Sequence, residues 1–225
     1  MENFVITIAR QYGSGGRTVG KMLAEKLGVS FYDKQIIQMA SDESGIDVKL
    51  FGQVEEGSSV KASLFNKTGL YKGDLIAPDQ KGFVSDENIF NYQAKIATDL
   101  AEKESCVIVG KCADYVLKGR KNVVSIYIEA PRAFCLARTM QRMKVSADVA
   151  AATIENTDKY RADYYKYYTK GNYWTNPVNY DMTLNSEKVG IAGCVKMIEE
   201  YLVMKGLITR EQILSEQITK GEEKK

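Results

Sequence analysis

Histidine is absent from this 225-residue chain. That removes the commonest general base, and with it every Ser-His and Cys-His hydrolase mechanism. It also weighs against a zinc site. The four cysteines, Cys106, Cys112, Cys135 and Cys194, are widely spaced and fall inside apparent strands and helices. They read as reduced, buried thiols of a cytoplasmic protein. An excess of either charge is missing too. Lys and Arg number 31 against 29 Asp and Glu, a formal net charge of +2, so no global basic field argues for DNA or RNA as a partner. No apolar run approaches a membrane span, and the first residues lack the basic-then-apolar order of a signal peptide. No internal repeat is visible.

With 44% hydrophobic residues, the chain suits one large domain or a domain carrying a mobile appendage. Strand-like runs are expected at 4–9, 30–33, 106–109, 123–129 and 180–184. Helical patterns fit 16–28, 34–44, 86–104, 132–143, 147–169 and 188–205. This alternation predicts an α/β fold with a five-stranded, mainly parallel sheet and helices on both faces. A last helix begins near Thr209, where Thr209 and Gln212 form a capping box, and the terminal "KGEEKK" reads as disordered. Residues 46–85 differ. Gly52, Gly57, Gly69, Gly73 and Gly82 lie there among mixed charges, which predicts an irregular, partly helical insertion able to move relative to the sheet.

The chemistry concentrates in "ITIARQYGSGGRTVGKMLAEKLG", residues 6–28. A β-branched run leads into Gly13, Gly15 and Gly16, and an amphipathic helix follows, with Val19, Met22, Leu23 and Leu27 on its apolar face. Amides at such a strand-to-helix junction point outward and the helix dipole adds partial positive charge, so the location favours a phosphate. A phosphate loop of the form G-x-x-x-x-G-K-[ST] carries a lysine where this chain has Gly16.

The loop followed by "FYDKQII", and the later runs "CVIVGKCADYVL", "NVVSIYIEAPRAFCLARTMQRM", "DKYRADYYKYY" and "YDMTLNSEKVGI", resemble the cytidylate kinase-like branch of the P-loop nucleoside monophosphate kinases, over about residues 4–203. The resemblance implies a three-layer P-loop NTPase fold and a kinase domain over 1–205. Within it, 46–85 would be the acceptor-side insertion and 132–170 the lid region; 206–225 would form a C-terminal helix and tail. Against the cytidylate kinase loop GPSGSGKGT, the chain reads RQYGSGGRT. Gly13, Ser14, Gly15, Gly16, Arg17 and Thr18 would hold the phosphates of ATP, with Thr18 helping to place Mg²⁺. The missing ammonium would be replaced by Arg17, with Arg10 and Lys21 as alternatives on either side.

The acceptor nucleotide would meet Asp33, whose other ordinary role is a helix N-cap, and Lys111, which matches a phosphate-binding arginine. Lys111 reads otherwise as the exposed first residue of a short helix. Cys112 stands where those enzymes carry an aspartate, with Asp114 nearby. Arg138 and Arg142, four apart on one helical face and about two turns after Arg132, match lid arginines, and with Arg17 and Arg161 they would be the catalytic clamp on the moving phosphoryl group. Asp158 and Arg161 match a pair that contacts acceptor sugar and phosphate; as an isolated pair they would be an i,i+3 salt bridge worth a few tenths of a kcal/mol. Another arginine of the family is replaced by Ile154. Glu129 would be a stand-in for a metal-supporting aspartate that the resemblance implies and the chain lacks, and the five tyrosines between Tyr160 and Tyr168 read as packing. The implied activity is transfer of a phosphoryl group from ATP to a nucleoside monophosphate of the CMP or dCMP type. The alternatives are a P-loop kinase for another small acceptor and a nucleotide-binding module without turnover. A charged phosphate acceptor needs no strong base, which agrees with the absence of histidine.

Overall fold

The apolar strands alternate between two cores. In the computed structural model, which describes residues 3–55 and 74–213, β1 (Val5–Arg10) sends Val5 and Ala9 to one face and Ile6 and Ile8 to the other. β3 (Cys106–Val109) and β4 (Val123–Glu129) follow the same period of two, Cys106, Ile108 and Tyr127 opposite Val107, Val109 and Ile126. Each side chain removed from water in this way contributes about 1.5–3 kcal/mol. With β2 (Ser30–Tyr32) and β5 (Met182–Asn185), they form one parallel sheet of five strands in the order β2-β3-β1-β4-β5. Burial on both faces is why the central strands read as nearly continuous apolar runs.

One face is covered by α1 (Gly16–Leu27) and α8 (Ser186–Met204). Val19 and Leu23 are fully buried there, but Met22 is 38% exposed; the buried stripe runs instead through Gly20 and Ala24. Gly20 is required by close approach, since a Cβ on it would lie 3.0 Å from Ile8 Cδ1. The other face carries α2 (Gln35–Ser44), α3 (Val48–Glu55) and α4 (Asp86–Lys103), together with the tyrosines of α7 (Ala147–Tyr168). Tyr164, Tyr165 and Tyr168 are buried in this core, where Tyr168 stacks on Phe90 with ring centroids 4.0 Å apart. α5 (Ala113–Val116) follows β3, and α6 (Arg132–Met143) turns at Lys144 into α7 to make a helical hairpin over the expected lid region.

Several boundaries shift for identifiable reasons. β5 starts two residues later than expected, because Tyr180 stacks on Tyr127 at 5.1 Å and Asp181 is tied to Ser125 through its carboxylate. α8 starts at Ser186, capped by the Asn185 side chain, and is interrupted by Gly190 in a left-handed, extended conformation. Of the insertion, α3 is helical and 74–85 is irregular, held by the buried Asn88 amide that bonds Ile76 and Phe83. Residues 56–73 and the tail from 214 lie outside the described residues. The Thr209–Gln212 capping box is formed, with reciprocal bonds of 2.7 and 3.4 Å. All four cysteines are buried and free. Among the described residues, no helix is long and apolar enough to cross a membrane.

Candidate active site

β1 lies at the centre of the sheet, and the chain turns over its carboxyl end, the position where open parallel sheets bind ligands. Gly13 and Gly15 adopt φ of 83° and 87°. A Cβ on Gly13 would also lie 2.7 Å from the Cys135 carbonyl oxygen, so α6 packs directly on the loop and only glycine fits. Gly15 caps α1 with no side-chain hydrogen bond, leaving the first amides of the helix to an incoming anion. The loop is clamped from behind. Ser14 is fully buried and its hydroxyl donates to the Gln11 carbonyl at 2.9 Å. The Ser186 hydroxyl donates to the Ser14 carbonyl at 2.5 Å, while the Ala130 amide donates to the Gln11 side chain at 3.0 Å. From α7, Asp158 accepts the Tyr12 amide at 2.7 Å, and Arg161 donates to the Arg10 carbonyl at 3.0 Å.

A cleft of about 690 Å³ opens in front of this loop. It gathers Gly13, Gly15, Gly16, Arg17, Thr18, Asp33, Lys111, Arg138, Arg142 and Arg161 from the residues singled out by sequence. Ser14 and Asp158 stand behind its wall as supports of the loop, and Lys21 points elsewhere, 62% exposed and paired with Glu25 at 3.5 Å. Arg132 also lies outside, donating to the Ala151 carbonyl at 2.9 Å to tie α6 to α7. Ile154 is 1% exposed and packs with Ala130 and Cys135 between those helices, a setting that would strand an arginine.

The cleft has a charge pattern that the near-neutral chain does not. Arg10, Arg17, Lys34, Lys111, Arg138, Arg142 and Arg161 line it, against only Asp33 and Asp114. The Arg138 guanidinium reaches over the loop, with Nη2 3.2 Å from where a Cβ on Gly15 would be, and Arg142 sits 5.0 Å from the Tyr12 ring centre. Asp33 does not cap α2, which begins after Lys34 with no side-chain cap. Its carboxylate is 6% exposed and accepts from Arg17 Nε at 2.6 Å, with Arg10 at 3.9 Å. Burial holds the Arg10 guanidinium below its ordinary range, and burial with Arg10 beside it does the same to Arg161. Cations crowded together out of water with few counter-ions are a site for an anion.

At the end of β3 the backbone takes an uncommon path. Gly110, Lys111 and Cys112 are all left-handed, with φ of 81°, 60° and 52°. The two non-glycine residues cost on the order of 1–2 kcal/mol each. The turn carries Lys111 into the cleft, where burial and then Arg10 push its ammonium down to about 7. Burial raises the Asp114 carboxyl to about 6 even though the Tyr165 hydroxyl donates to it at 2.8 Å. Tyr160, Tyr164 and Tyr165, expected from sequence only as packing, also line the cleft, as do Lys34 and Trp174, of which only Lys34 carries a local signal, its adjacency to Asp33 at a strand end.

Thr18 contributes a hydroxyl to the cleft wall beside the loop, while Glu129 does not line the cleft. Among the described residues, no group of three His, Cys, Asp or Glu side chains could hold a metal by itself. One hydroxyl beside a phosphate site fits the way Mg²⁺ is held in such sites, where substrate phosphates and water supply most ligands.

The five-stranded parallel sheet with helices on both sides and a glycine loop after its central strand is the fold of P-loop kinases. The chain belongs to the cytidylate kinase-like family, whose profile matches residues 5–188. A solved but uncharacterized protein from Eubacterium ventriosum is 25% identical with a TM-score of 0.65, over 89% of this chain and 98% of that one. Shikimate kinase from Bacteroides thetaiotaomicron shares the fold at 15% identity with a TM-score of 0.50, over 88% of this chain and 98% of that one. Comparison with curated proteins gives no match.

Proposed function

We propose that this protein is an ATP-dependent phosphotransferase acting on a nucleoside monophosphate of the CMP or dCMP type. The observation that carries the reading is a single cleft in which an uncapped helix N-terminus behind a glycine loop faces seven basic side chains from four parts of the chain. Family membership supports a kinase, and the residues divide the work between its two substrates.

In this reading the amides from Gly13 to Thr18 hold the β- and γ-phosphates of ATP, and Thr18 takes part in holding Mg²⁺. The metal, when bound, neutralises charge shared between those phosphates. Lys111 and Asp33 orient the acceptor, the latter through Arg17. An acceptor phosphate oxygen forms the new bond to the γ-phosphorus. The bond to the β,γ-bridging oxygen breaks, and its electron pair leaves with ADP. Arg138, Arg142 and Arg161 would stabilise the negative charge that spreads over the moving group, so the step depends on alignment and charge stabilisation. Closure of the α6–α7 hairpin over the substrates would exclude water and suppress idle hydrolysis. Asp158 serves by holding the Tyr12 amide and Arg161 in place.

The test is ADP release from Mg-ATP with CMP, dCMP, UMP, AMP or GMP, against a no-acceptor control. Strong stimulation by CMP or dCMP is expected. Turnover with another acceptor only would replace the acceptor assignment, a result for which Cys112 at the family's aspartate position leaves room. ATP binding without turnover on any acceptor would make the protein a nucleotide-binding module instead.

A further inference from the structure

Three basic residues flank the loop whose lysine is missing, and the structure separates them. Lys21 is turned to solvent with Glu25. Arg17 is 60% exposed, bonded to Asp33 and 5.7 Å from the Phe31 ring centre. Arg10 is different. Its side chain is 19% exposed, lines the cleft and runs across the base of the loop.

Its path is recorded by two glycines. At Gly16, the position of the absent lysine, a Cβ would lie 2.5 Å from Arg10 Cβ, 3.2 Å from Arg10 Cγ and 3.1 Å from Ile128 Cβ. The Cβ atoms of residues 10 and 128 leave no room for a side chain there, and the Arg10 stem runs past the same point. At the far end, a Cβ on Gly110 would collide with Arg10 Nη1. The stem of Arg10 therefore fills the space beside Gly16, and its guanidinium reaches the end of β3. The carboxylates that act on it are Asp33, 3.9 Å away and already bonded to Arg17 at 2.6 Å, and Asp158, which accepts the Tyr12 amide.

We infer that Arg10 replaces the missing lysine: its guanidinium, running past Gly16 to Gly110, binds the phosphates of ATP, in a turn whose backbone leaves position 16 no room for a side chain of its own. Resting on the reading of the cleft as an ATP site, the inference makes Arg10, Gly16 and Gly110 one unit. The charge comes from the strand before the loop instead of the helix after it. A planar fork with several donors suits two phosphate oxygens at once. Arg17 is then left to position Asp33 for the acceptor.

The experiment compares the full-length protein with Arg10→Met, Gly16→Lys, and the double variant Arg10→Gly with Gly16→Lys. Arg10→Met keeps an unbranched stem beside Gly16 while removing the charge. The double variant uses glycine because alanine would retain the Cβ 2.5 Å from position 16. Each is measured for kcat and KM for ATP in the ADP-release assay and for the shift in Tm produced by Mg-ATP, with the ligand-free Tm as the control for folding. Arg10→Met should lower kcat/KM for ATP by roughly 10²-fold or more, the scale of losing one electrostatic donor. Gly16→Lys alone should be similarly impaired, and the double variant should regain at least about tenfold over Arg10→Met, because one cation then replaces another in the same space.

Near-full activity in Arg10→Met, within about threefold, would overturn the inference while leaving the kinase reading intact. So would a fully active Gly16→Lys. If the unaltered protein turns over no acceptor, the kinase reading fails, and the ATP-induced Tm shift decides the role of Arg10 by itself. Loss of the shift in Arg10→Met with recovery in the double variant supports it, and an undiminished shift in Arg10→Met rejects it.

Discussion

The turn after β1 and the turn after β3 lie side by side at the same edge of the sheet, and both rely on left-handed backbone, but they reach it by different means. After β1 the left-handed positions are glycines, which adopt such φ without a Cβ penalty. In the proposed reading their amides would hold the phosphates of ATP, so this turn would recognise through backbone. After β3, Lys111 and Cys112 adopt it despite their side chains, and recognition there depends on where the strain puts Lys111. The first turn is open to any phosphate. The second places one side chain and is the better place to encode which phosphate-bearing molecule is accepted.

Replacing Gly13 with valine should have the largest effect. The added atoms meet the Cys135 backbone, in a conformation that a β-branched residue resists. The expected result is loss of the ATP-induced Tm shift, with a fall in stability of about 1–3 kcal/mol by denaturant titration. An unchanged shift would mean that the backbone turn is not the ATP site.

Lys111→Met should act on the other turn alone, raising KM for the acceptor about tenfold or more and leaving KM for ATP within about twofold. A pH profile sharpens the contrast. The Lys111 ammonium, ordinarily near 10.5, is pushed down to about 7, so it is charged below that pH and loses its proton above it. Acceptor KM should therefore rise between pH 7 and 8.5, by up to about tenfold per unit. Lys111→Arg, which stays charged throughout this range, should flatten that rise. A KM for ATP that follows the same profile would erase the distinction between the two turns.

Arg132→Ala should do least. This residue ties α6 to α7 outside the cleft, so kcat should stay within about twofold while stability falls by about 1 kcal/mol, the worth of one hydrogen bond. A large loss of kcat would give Arg132 a part in catalysis that its position does not show.

The contrast between the turns also governs what could be read from sequence. The strands, the two-faced sheet and the glycine loop announce themselves through period-two apolar runs and clustered glycines, which are local signals. The contact between Arg10 and Gly16 is not local in this sense: which of three neighbouring cations runs beside Gly16 depends on packing against Ile128 and Gly110. Asp33 likewise sits where an N-cap belongs, and only the three-dimensional approach of Arg17 takes its carboxylate away from α2. Asp158 and Arg161 show their spacing in sequence, but their grip on the loop before Gly13 spans 146 and 151 residues. The left-handed Lys111 and Cys112 leave no trace at all, because nothing in their side chains calls for that conformation.

The central claim is that this loop, without its lysine, supports phosphoryl transfer. Phosphorus NMR of the protein with Mg-ATP and CMP or dCMP follows the transferred group directly. The account predicts that ATP signals decline as ADP and a new nucleoside diphosphate appear in equal amounts, with little inorganic phosphate. ATP signals that persist with CMP, dCMP, UMP, AMP and GMP alike, or that decline only into ADP and inorganic phosphate, would contradict it.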